Sequence, residues 1–225
     1  MSKTFFVTGT DTEVGKTTVS CGLLRAAEAA GLSTAAVKPV AAGCDASGLN
    51  EDAVALMANM TLDIDYAQVN PVALQEAIAP HIAAQHEGRT LQAARLAGLC
   101  RGVMNSAADL VLIEGAGGWR VPINGRETLA NVAVELRTPV ILVVGMRLGC
   151  INHALLTAEA IQRDGLTLAG WVANQPGQRM DCHEENFETL KRLLPADCLG
   201  ELPLLAPFDA HQASEHLDVR ALLGL

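Results

Sequence analysis

The chain lacks the features that mark several common classes of protein. It has no run of basic residues, and its 16 Lys and Arg against 25 Asp and Glu give a net charge of −9. We therefore expect no surface that follows the phosphates of a nucleic acid. The apolar run from Val140 to Val144 is far too short to cross a bilayer, so we expect no membrane span.

Neither the cysteines nor the histidines show the spacing that marks a redox or metal site. The six cysteines are scattered without Cys-x-x-Cys spacing, and no basic segment followed by an apolar core opens the chain. We therefore expect reduced thiols in a cytoplasmic protein. No two of the six histidines have the spacing of metal ligands, so surface or hydrogen-bonding roles are expected for them.

Size and patterning predict one α/β domain over residues 1–225. At 50% hydrophobic residues the chain has ample material for one core, and it shows no repeat, linker or low-complexity tract. Residues 59–101 are poorly patterned apart from one helix and are interpreted as an insertion within the same domain. The predicted strands are Thr4 to Thr8, Ser33 to Val40, Leu110 to Ile113, Val140 to Val144 and Leu168 to Ala173. The predicted helices are Val14 to Ala30, Asp52 to Ala58, Leu91 to Val103, Glu127 to Arg137, Ile151 to Arg163 and Glu184 to Leu194.

This alternation indicates a P-loop NTPase-like fold, with a mainly parallel sheet and helices on both faces. Continuous apolar strands are typical of strands buried on both sides. Because parallel strands all end at one rim of the sheet, we expect ligands to gather there.

The segment from Phe5 to Thr18 is the strongest functional signal. An apolar strand runs into glycines and continues as a helix, which is the pattern of a phosphate-binding loop. Lys16 would meet the outer phosphates, and Thr17 would offer a hydroxyl to Mg²⁺. Gly9 and Gly15 are one residue further apart than in the ordinary pattern, so this is a variant loop. The plain alternative is a glycine turn with an incidental lysine.

Polar residues stand at the ends of two further predicted strands and at the start of one predicted helix. Lys38 ends the second strand, where a buried cation needs an anion to meet it, although a surface lysine fits the position as well. Glu114 follows an apolar strand and precedes glycines, which suits a Mg²⁺-binding carboxylate better than a simple turn. Asp52 fits either a metal site or a helix-start carboxylate.

Two more segments could bind ligands at the same rim. From Gly145 to His153 a strand passes through glycines into a helix whose free N–H groups could receive a carboxylate, or it is an ordinary tight connection. Asn174 ends another strand, and its amide offers a donor and an acceptor to a purine edge.

Together these segments resemble the dethiobiotin synthetase family over nearly the whole chain. The shared segments are Gly9 to Thr17, Lys38 to Val40, Glu114 to Trp119, Gly149 to Thr157 and Gly170 to Asn174. The resemblance implies carboxylation of 7,8-diaminopelargonic acid with CO₂ and closure of a cyclic urea. The products are dethiobiotin, ADP and phosphate, with ATP as co-substrate and Mg²⁺ as cofactor. It also implies a homodimer with the substrate near the subunit interface.

The resemblance also assigns residue roles. It implies Lys38 and Lys16 as catalytic residues and Thr17, Asp52 and Glu114 as ligands of Mg²⁺. The implied nucleotide-binding residues are Glu13, Val14, Gly15, Lys16, Thr17, Thr18, Asp52, Glu114, Gly115, Ala116, Gly117, Asn174, Gln175, Pro203, Leu204 and Leu205. The implied substrate-binding residues are Thr12, Lys38, Ala42, Gly149, Cys150, Ile151 and Asn152, the last four receiving the substrate carboxylate from the partner chain.

One departure and two alternatives remain. The family usually has a serine where this chain has Ala42, which puts one substrate hydrogen bond in doubt. A nucleotide-controlled switch related to partitioning and septum-positioning ATPases would carry a second lysine early in the loop, which this chain lacks, and no amphipathic C-terminal membrane helix is evident. An amidase relative that uses glutamine ammonia would need a glutaminase, for which this chain is too short without a separate subunit.

Overall fold

The centre of the protein is a parallel sheet buried on both faces. The structure is a computed structural model that describes residues 3–224. Its strands are β1 (Lys3–Gly9), β2 (Thr34–Val37), β3 (Ala41–Ala42), β4 (Ala73–Leu74), β5 (Leu110–Gly118), β6 (Val140–Gly145), β7 (Leu168–Asn174) and β8 (Cys198–Leu202). Within that range, six strands form the main sheet in the order β2-β5-β1-β6-β7-β8, and β3 and β4 form a separate pair. All of these pairings are parallel.

Helices cover both faces of the main sheet. They are α1 (Lys16–Ala29), α2 (Glu51–Asn59), α3 (Tyr66–Val69), α4 (Pro80–His86), α5 (Ala93–Met104), α6 (Leu129–Leu136), α7 (Cys150–Arg163), α8 (His183–Leu193), α9 (Ala210–Ser214) and α10 (Val219–Leu223). Phe6 packs in a core with residues of α5, α6, α7 and α8. Its neighbour Phe5 faces the opposite core, with residues of α1, α2, α9 and α10. Burying each large apolar side chain contributes roughly 1.5–3 kcal/mol, so these two layers supply most of the stabilisation.

The predicted α/β class is confirmed, with some boundaries corrected. The second strand ends at Val37 rather than Val40, because the Lys38 N–H donates to the Val69 carbonyl and Pro39 has no N–H to donate. The helix predicted from Val14 begins at Lys16, because Glu13 and Gly15 have positive φ angles of 57° and 84°.

Three elements near the C-terminus were not predicted. The edge strand β8 is short and has Gly200 at its centre, so its apolar pattern is weak. Helices α9 and α10 each have five residues, too few to show a helical period. In the poorly patterned middle, β4 pairs with β3 and α4 contacts both strands, while α3 packs against α2, α5 and β2. Among residues 3–224, every helix is too short or too polar to span a lipid bilayer.

Candidate active site

The phosphate loop connects β1 to α1, and its backbone conformation leaves no room for a side chain at Gly15. Gly15 is left-handed, and a Cβ there would lie 2.1 Å from the Asn174 amide nitrogen. That amide donates to the Val14 carbonyl over 2.7 Å, which ties the loop to the end of β7. The first turn of α1 carries no acidic side chain, so its N–H groups stay available to an anion. The loop predicted from the sequence therefore has the form needed to bind phosphate.

Lys16 opens α1 and is buried beside this loop. Its ammonium has one long contact, 3.3 Å to the Asp11 carbonyl. Burial lowers the pKa of Lys16 from 10.5 to about 8, although the negative charge of Glu114 opposes that shift. Lys16 is thus a desolvated cation with little internal compensation, which favours an incoming anion.

Lys38 lies at the end of β2 and is bound by two carboxylates. Its ammonium is 2.7 Å from Asp52 Oδ2 and 2.8 Å from Glu114 Oε1. Burial alone would lower the pKa of Lys38, but Glu114 and Asp52 outweigh it and hold the pKa above its ordinary value. The surface-lysine alternative is therefore wrong, since Lys38 is only 3% exposed.

The two carboxylates come from different elements. Glu114 lies in β5, is fully buried, and accepts a hydrogen bond of 2.8 Å from the Thr17 hydroxyl. Asp52 is the second residue of α2, whose N-cap is Asn50. The Asn50 side chain accepts from the Ala53 N–H, so Asp52 is not the capping residue. Burial raises the pKa of Asp52, but the charge and hydrogen bond of Lys38 keep it below the usual value.

An open cavity of about 790 Å³ lies over these groups. The phosphate loop, Lys38, Glu51 and Asp52 form the charged part of its lining, here called the charged wall. The rest of the lining, here called the apolar wall, consists of Ala42, the segment 77–80 and residues 116–117 and 120–122. The cavity thus joins a strongly charged wall to a mainly apolar one.

Comparison with known proteins identifies the family. The AAA domain family profile matches residues 3–212. The ATP-dependent dethiobiotin synthetase of Cellvibrio japonicus (strain Ueda107) is 60% identical over 224 residues, covering 98% of this chain and 98% of that protein. This chain belongs to the ATP-dependent dethiobiotin synthetase family. The synthetase of Pseudomonas paraeruginosa (strain DSM 24068 / PA7) is 58% identical over 225 residues, covering 98% of this chain and 99% of that one.

Solved structures support the fold. The cell-division protein MinD of Aquifex aeolicus aligns with a TM-score of 0.61 at 15% identity, covering 100% of this chain and 98% of that one. An identity this low shows a shared fold and leaves function to the residues of the site. The family resemblance read from the motifs is therefore confirmed, and membership in the dethiobiotin synthetase family rests on the much closer sequence relatives.

The residues expected to contact the nucleotide base lie together at the ends of neighbouring strands. Asn174 of β7 pairs with Leu202 of β8, and the Gln175 N–H donates to the Leu202 carbonyl. The segment Pro203 to Leu205 follows directly, and Leu204 is 54% exposed. One N–H of Asn174 is used by the loop, so base contact by its other polar atoms remains a prediction for this member of the family.

The predicted carboxylate-binding turn lies apart from the cavity of its own chain. Gly149 has φ 97° and precedes α7, whose first residues are Cys150, Ile151 and Asn152. None of the four lines the cavity over Lys38. Arg147, just before the turn, pairs with Asp11 of the phosphate loop. The turn therefore lies close to the phosphate loop but outside the lining of the cavity over Lys38.

A magnesium ion is implied by the dethiobiotin synthetase family, and the residues fit it. Glu114 Oε2 is buried and has no hydrogen-bond partner among residues 3–224. A buried carboxylate oxygen without a partner is costly unless a cation meets it. The Thr17 hydroxyl and the Asp52 carboxylate also contact this cluster, and such oxygen ligands suit Mg²⁺.

Sequence reasoning missed part of the cavity wall. Ala77, Ile78, Ala79 and Pro80 reach the cavity because Ala41 and Ala42 pair with Ala73 and Leu74, a contact between distant segments with no local signal. Arg120 was also missed. It lines the cavity while its guanidinium binds both Asp164 oxygens, at 2.7 and 2.9 Å.

Proposed function

We propose that this chain catalyses the ATP-dependent closure of the ureido ring of dethiobiotin from 7,8-diaminopelargonic acid and CO₂. The observation that carries this proposal is the position of Lys38. Its buried ammonium lies between Asp52 and Glu114 at the mouth of the phosphate loop, in a chain of this family. A second buried cation at this position suits a reaction that brings two anions together.

The reaction begins with two groups that repel each other. One substrate amine captures CO₂ as a carbamate, and a carbamate oxygen then attacks the γ-phosphorus and releases ADP. The second amine attacks the carbonyl carbon of the resulting carbamic-phosphoric anhydride, and phosphate leaves with the bonding electrons. Lys16 and Lys38 would offset the repulsion between carbamate and triphosphate, and such electrostatic groups are worth several kcal/mol each.

Thr17, Asp52 and Glu114 would hold Mg²⁺ in this scheme. The ion, when bound, would add positive charge beside the phosphates. The unpartnered Glu114 Oε2 supports this assignment. Proton removal from the attacking amine is left to phosphate or solvent, because the two carboxylates in contact with Lys38, those of Asp52 and Glu114, are paired with it and assigned to the ion.

Nucleotide binding would use both ends of the rim. Backbone N–H groups of the loop would meet the phosphates, beside the glycine turn of β5. The base would lie near the ends of β7 and β8. The residues of this proposed site are Glu13, Val14, Gly15, Lys16, Thr17, Thr18, Gly115, Ala116, Gly117, Asn174, Gln175, Pro203, Leu204 and Leu205.

Substrate binding would require two chains. Thr12, Lys38 and Ala42 line the cavity and would meet the diamine end. The turn from Gly149 to Asn152 would bind the carboxylate of a substrate held in a second copy, which fits its position outside its own cavity. Leu148 beside this turn is 94% exposed, as expected of a side chain that a second copy would cover. We therefore propose a homodimer.

We also propose that residues 1–225 act as one domain in the cytoplasm. Both cores use the same central sheet, which favours one folding unit. All six cysteines are free thiols, consistent with a reducing compartment.

The test is a product assay. The purified protein is incubated with MgATP, bicarbonate and 7,8-diaminopelargonic acid, and dethiobiotin is followed by mass spectrometry. We expect product from the parent, and about a 10²–10³-fold lower kcat for Lys38→Ala. Lys191→Ala, which removes an exposed lysine of α8, is the matched control and should keep full activity. Bound ATP without any dethiobiotin from the parent would overturn the proposal.

A further inference from the structure

Lys38 binds the same two carboxylate side chains that the proposed metal would use. Its ammonium contacts Asp52 Oδ2 and Glu114 Oε1, and Glu114 Oε1 also accepts from the Thr17 hydroxyl. These three side chains are the proposed ligands of Mg²⁺. One cation therefore already binds two of the three ligands, and Thr17 contacts the same Glu114 oxygen.

The backbone of Lys38 is fixed by hydrogen bonds, and its side chain borders the cavity. The Lys38 N–H donates to the Val69 carbonyl over 2.7 Å, and its carbonyl accepts from the Asn70 amide over 2.8 Å. The side chain lines the cavity, together with Thr12 and Ala42. An ammonium displaced from the carboxylates would thus turn into the cavity rather than leave the site.

Charge decides which cation the carboxylates hold. Asp52 and Glu114 are matched by two ammonium groups, those of Lys38 and Lys16. A divalent ion arriving alone would leave this buried cluster strongly positive, which is unfavourable in a low-dielectric site. A triphosphate arriving with the ion would restore the balance.

We propose that Lys38 competes with the divalent cation for Asp52 and Glu114, so that the metal binds only together with nucleotide and its entry releases the Lys38 ammonium into the cavity. This rests on the proposed function, which places the metal on these carboxylates. Lys38 then reaches the position where it meets substrate only after metal and nucleotide are bound. This order prevents Lys38 from binding substrate before the phosphates of the nucleotide are bound.

The first test measures Mn²⁺ binding to the nucleotide-free protein by electron paramagnetic resonance. We expect weak binding to the parent and about tenfold or more tighter binding to Lys38→Met, which removes the competing charge but keeps an unbranched side chain. The double variant Lys38→Met/Glu114→Gln should lose that gain. Equal binding by the parent and Lys38→Met would overturn the proposal, as would a gain that survives Glu114→Gln, because the ion would then lie elsewhere.

The second test uses the parent alone and does not depend on any variant folding. Crystal structures with ADP alone and with ADP and Mn²⁺ locate the metal by its anomalous signal. We expect Lys38 Nζ to move beyond hydrogen-bonding distance of both carboxylates when Mn²⁺ is bound. A lysine that keeps both contacts beside the bound ion would contradict the inference.

Both tests omit the diamine substrate, so their results do not depend on whether the proposed reaction occurs. A parent that makes no dethiobiotin would overturn the function while leaving the competition intact. A parent that makes dethiobiotin but shows no competition would overturn only the inference.

Discussion

Two buried lysines line the same cavity, Lys16 in the phosphate loop and Lys38 at the end of β2, but their partners differ. Lys16 has a single long contact to a carbonyl, and burial lowers its pKa to about 8. Lys38 has two carboxylate partners that hold its pKa above the ordinary value. The difference shows that residue type and burial do not define a lysine's role. Lys16 has no carboxylate in contact and is open to phosphate, whereas Lys38 is bound by two carboxylates and, in our proposal, is released when the metal binds.

The largest effect should appear when each lysine is replaced by methionine. Lys38→Met leaves Glu114 buried without its cation, so we expect a loss of about 3–5 kcal/mol in the free energy of unfolding. Lys16→Met removes a poorly compensated buried charge, so we expect a gain on the order of 1–3 kcal/mol at pH 7. Urea denaturation of the nucleotide-free proteins measures both. If both variants change the free energy of unfolding in the same direction, the contrast between the two lysines is wrong.

The second effect concerns pH. The Lys16 ammonium, with a pKa near 8, binds phosphate only when protonated, so its contribution is present below pH 8 and is lost above it. We expect ATP affinity to fall about tenfold between pH 7 and pH 9. Calorimetric titration with ATP at each pH measures this affinity. Lys16→Arg keeps its charge over this range and should remove the pH dependence. A parent affinity that stays flat to pH 9 would show that Lys16 is not desolvated.

Asn174 holds the phosphate loop and is proposed to contact the nucleotide base, and its replacement should separate those two roles. Asn174→Ala removes the hydrogen bond to the Val14 carbonyl, so we expect about a tenfold loss of ATP affinity. The amide oxygen can accept from the amino group of adenine, which guanine lacks at that position, so the preference for ATP over GTP should also fall. Equal losses of affinity for ATP and GTP would mean that Asn174 only positions the loop and does not contact the base.

The smallest effect should come from the apolar wall. Ala42→Ser restores one neutral hydroxyl, worth roughly 0.5–1.5 kcal/mol, so kcat/KM for the diamine should rise about tenfold or less. Ala77→Ser, on the same wall, is the matched control and should change kcat/KM less. An increase above about a hundredfold for Ala42→Ser would mean that the charged wall does not dominate binding.

The sequence identified the charged wall because its signals are local. The loop, Lys38 and Glu114 each stand directly after an apolar run, and such runs predict buried strands wherever they occur. Where Asp52 points was not predictable, because a carboxylate in a first helical turn fits two roles. The structure resolves this through Asn50, which caps α2 and leaves Asp52 to Lys38.

The apolar wall depends on contacts that sequence patterns do not encode. Ala77 to Pro80 reach the cavity through the pairing of β3 with β4, strands of two residues each from distant parts of the chain. Edge strand β8 was missed for a related reason, because Gly200 interrupts its apolar pattern. Short elements of this kind are stabilised by tertiary packing rather than by their own propensity.

The most direct test of the central claim, that the charged wall brings a carbamate onto the γ-phosphate, is isotope transfer in a single turnover. The parent is mixed with MgATP, the diamine and CO₂ labelled with ¹⁸O, and phosphate and dethiobiotin are analysed by mass spectrometry. Attack by a carbamate oxygen predicts one labelled oxygen in each phosphate and one in the ureido carbonyl. Dethiobiotin formed together with unlabelled phosphate would contradict the account.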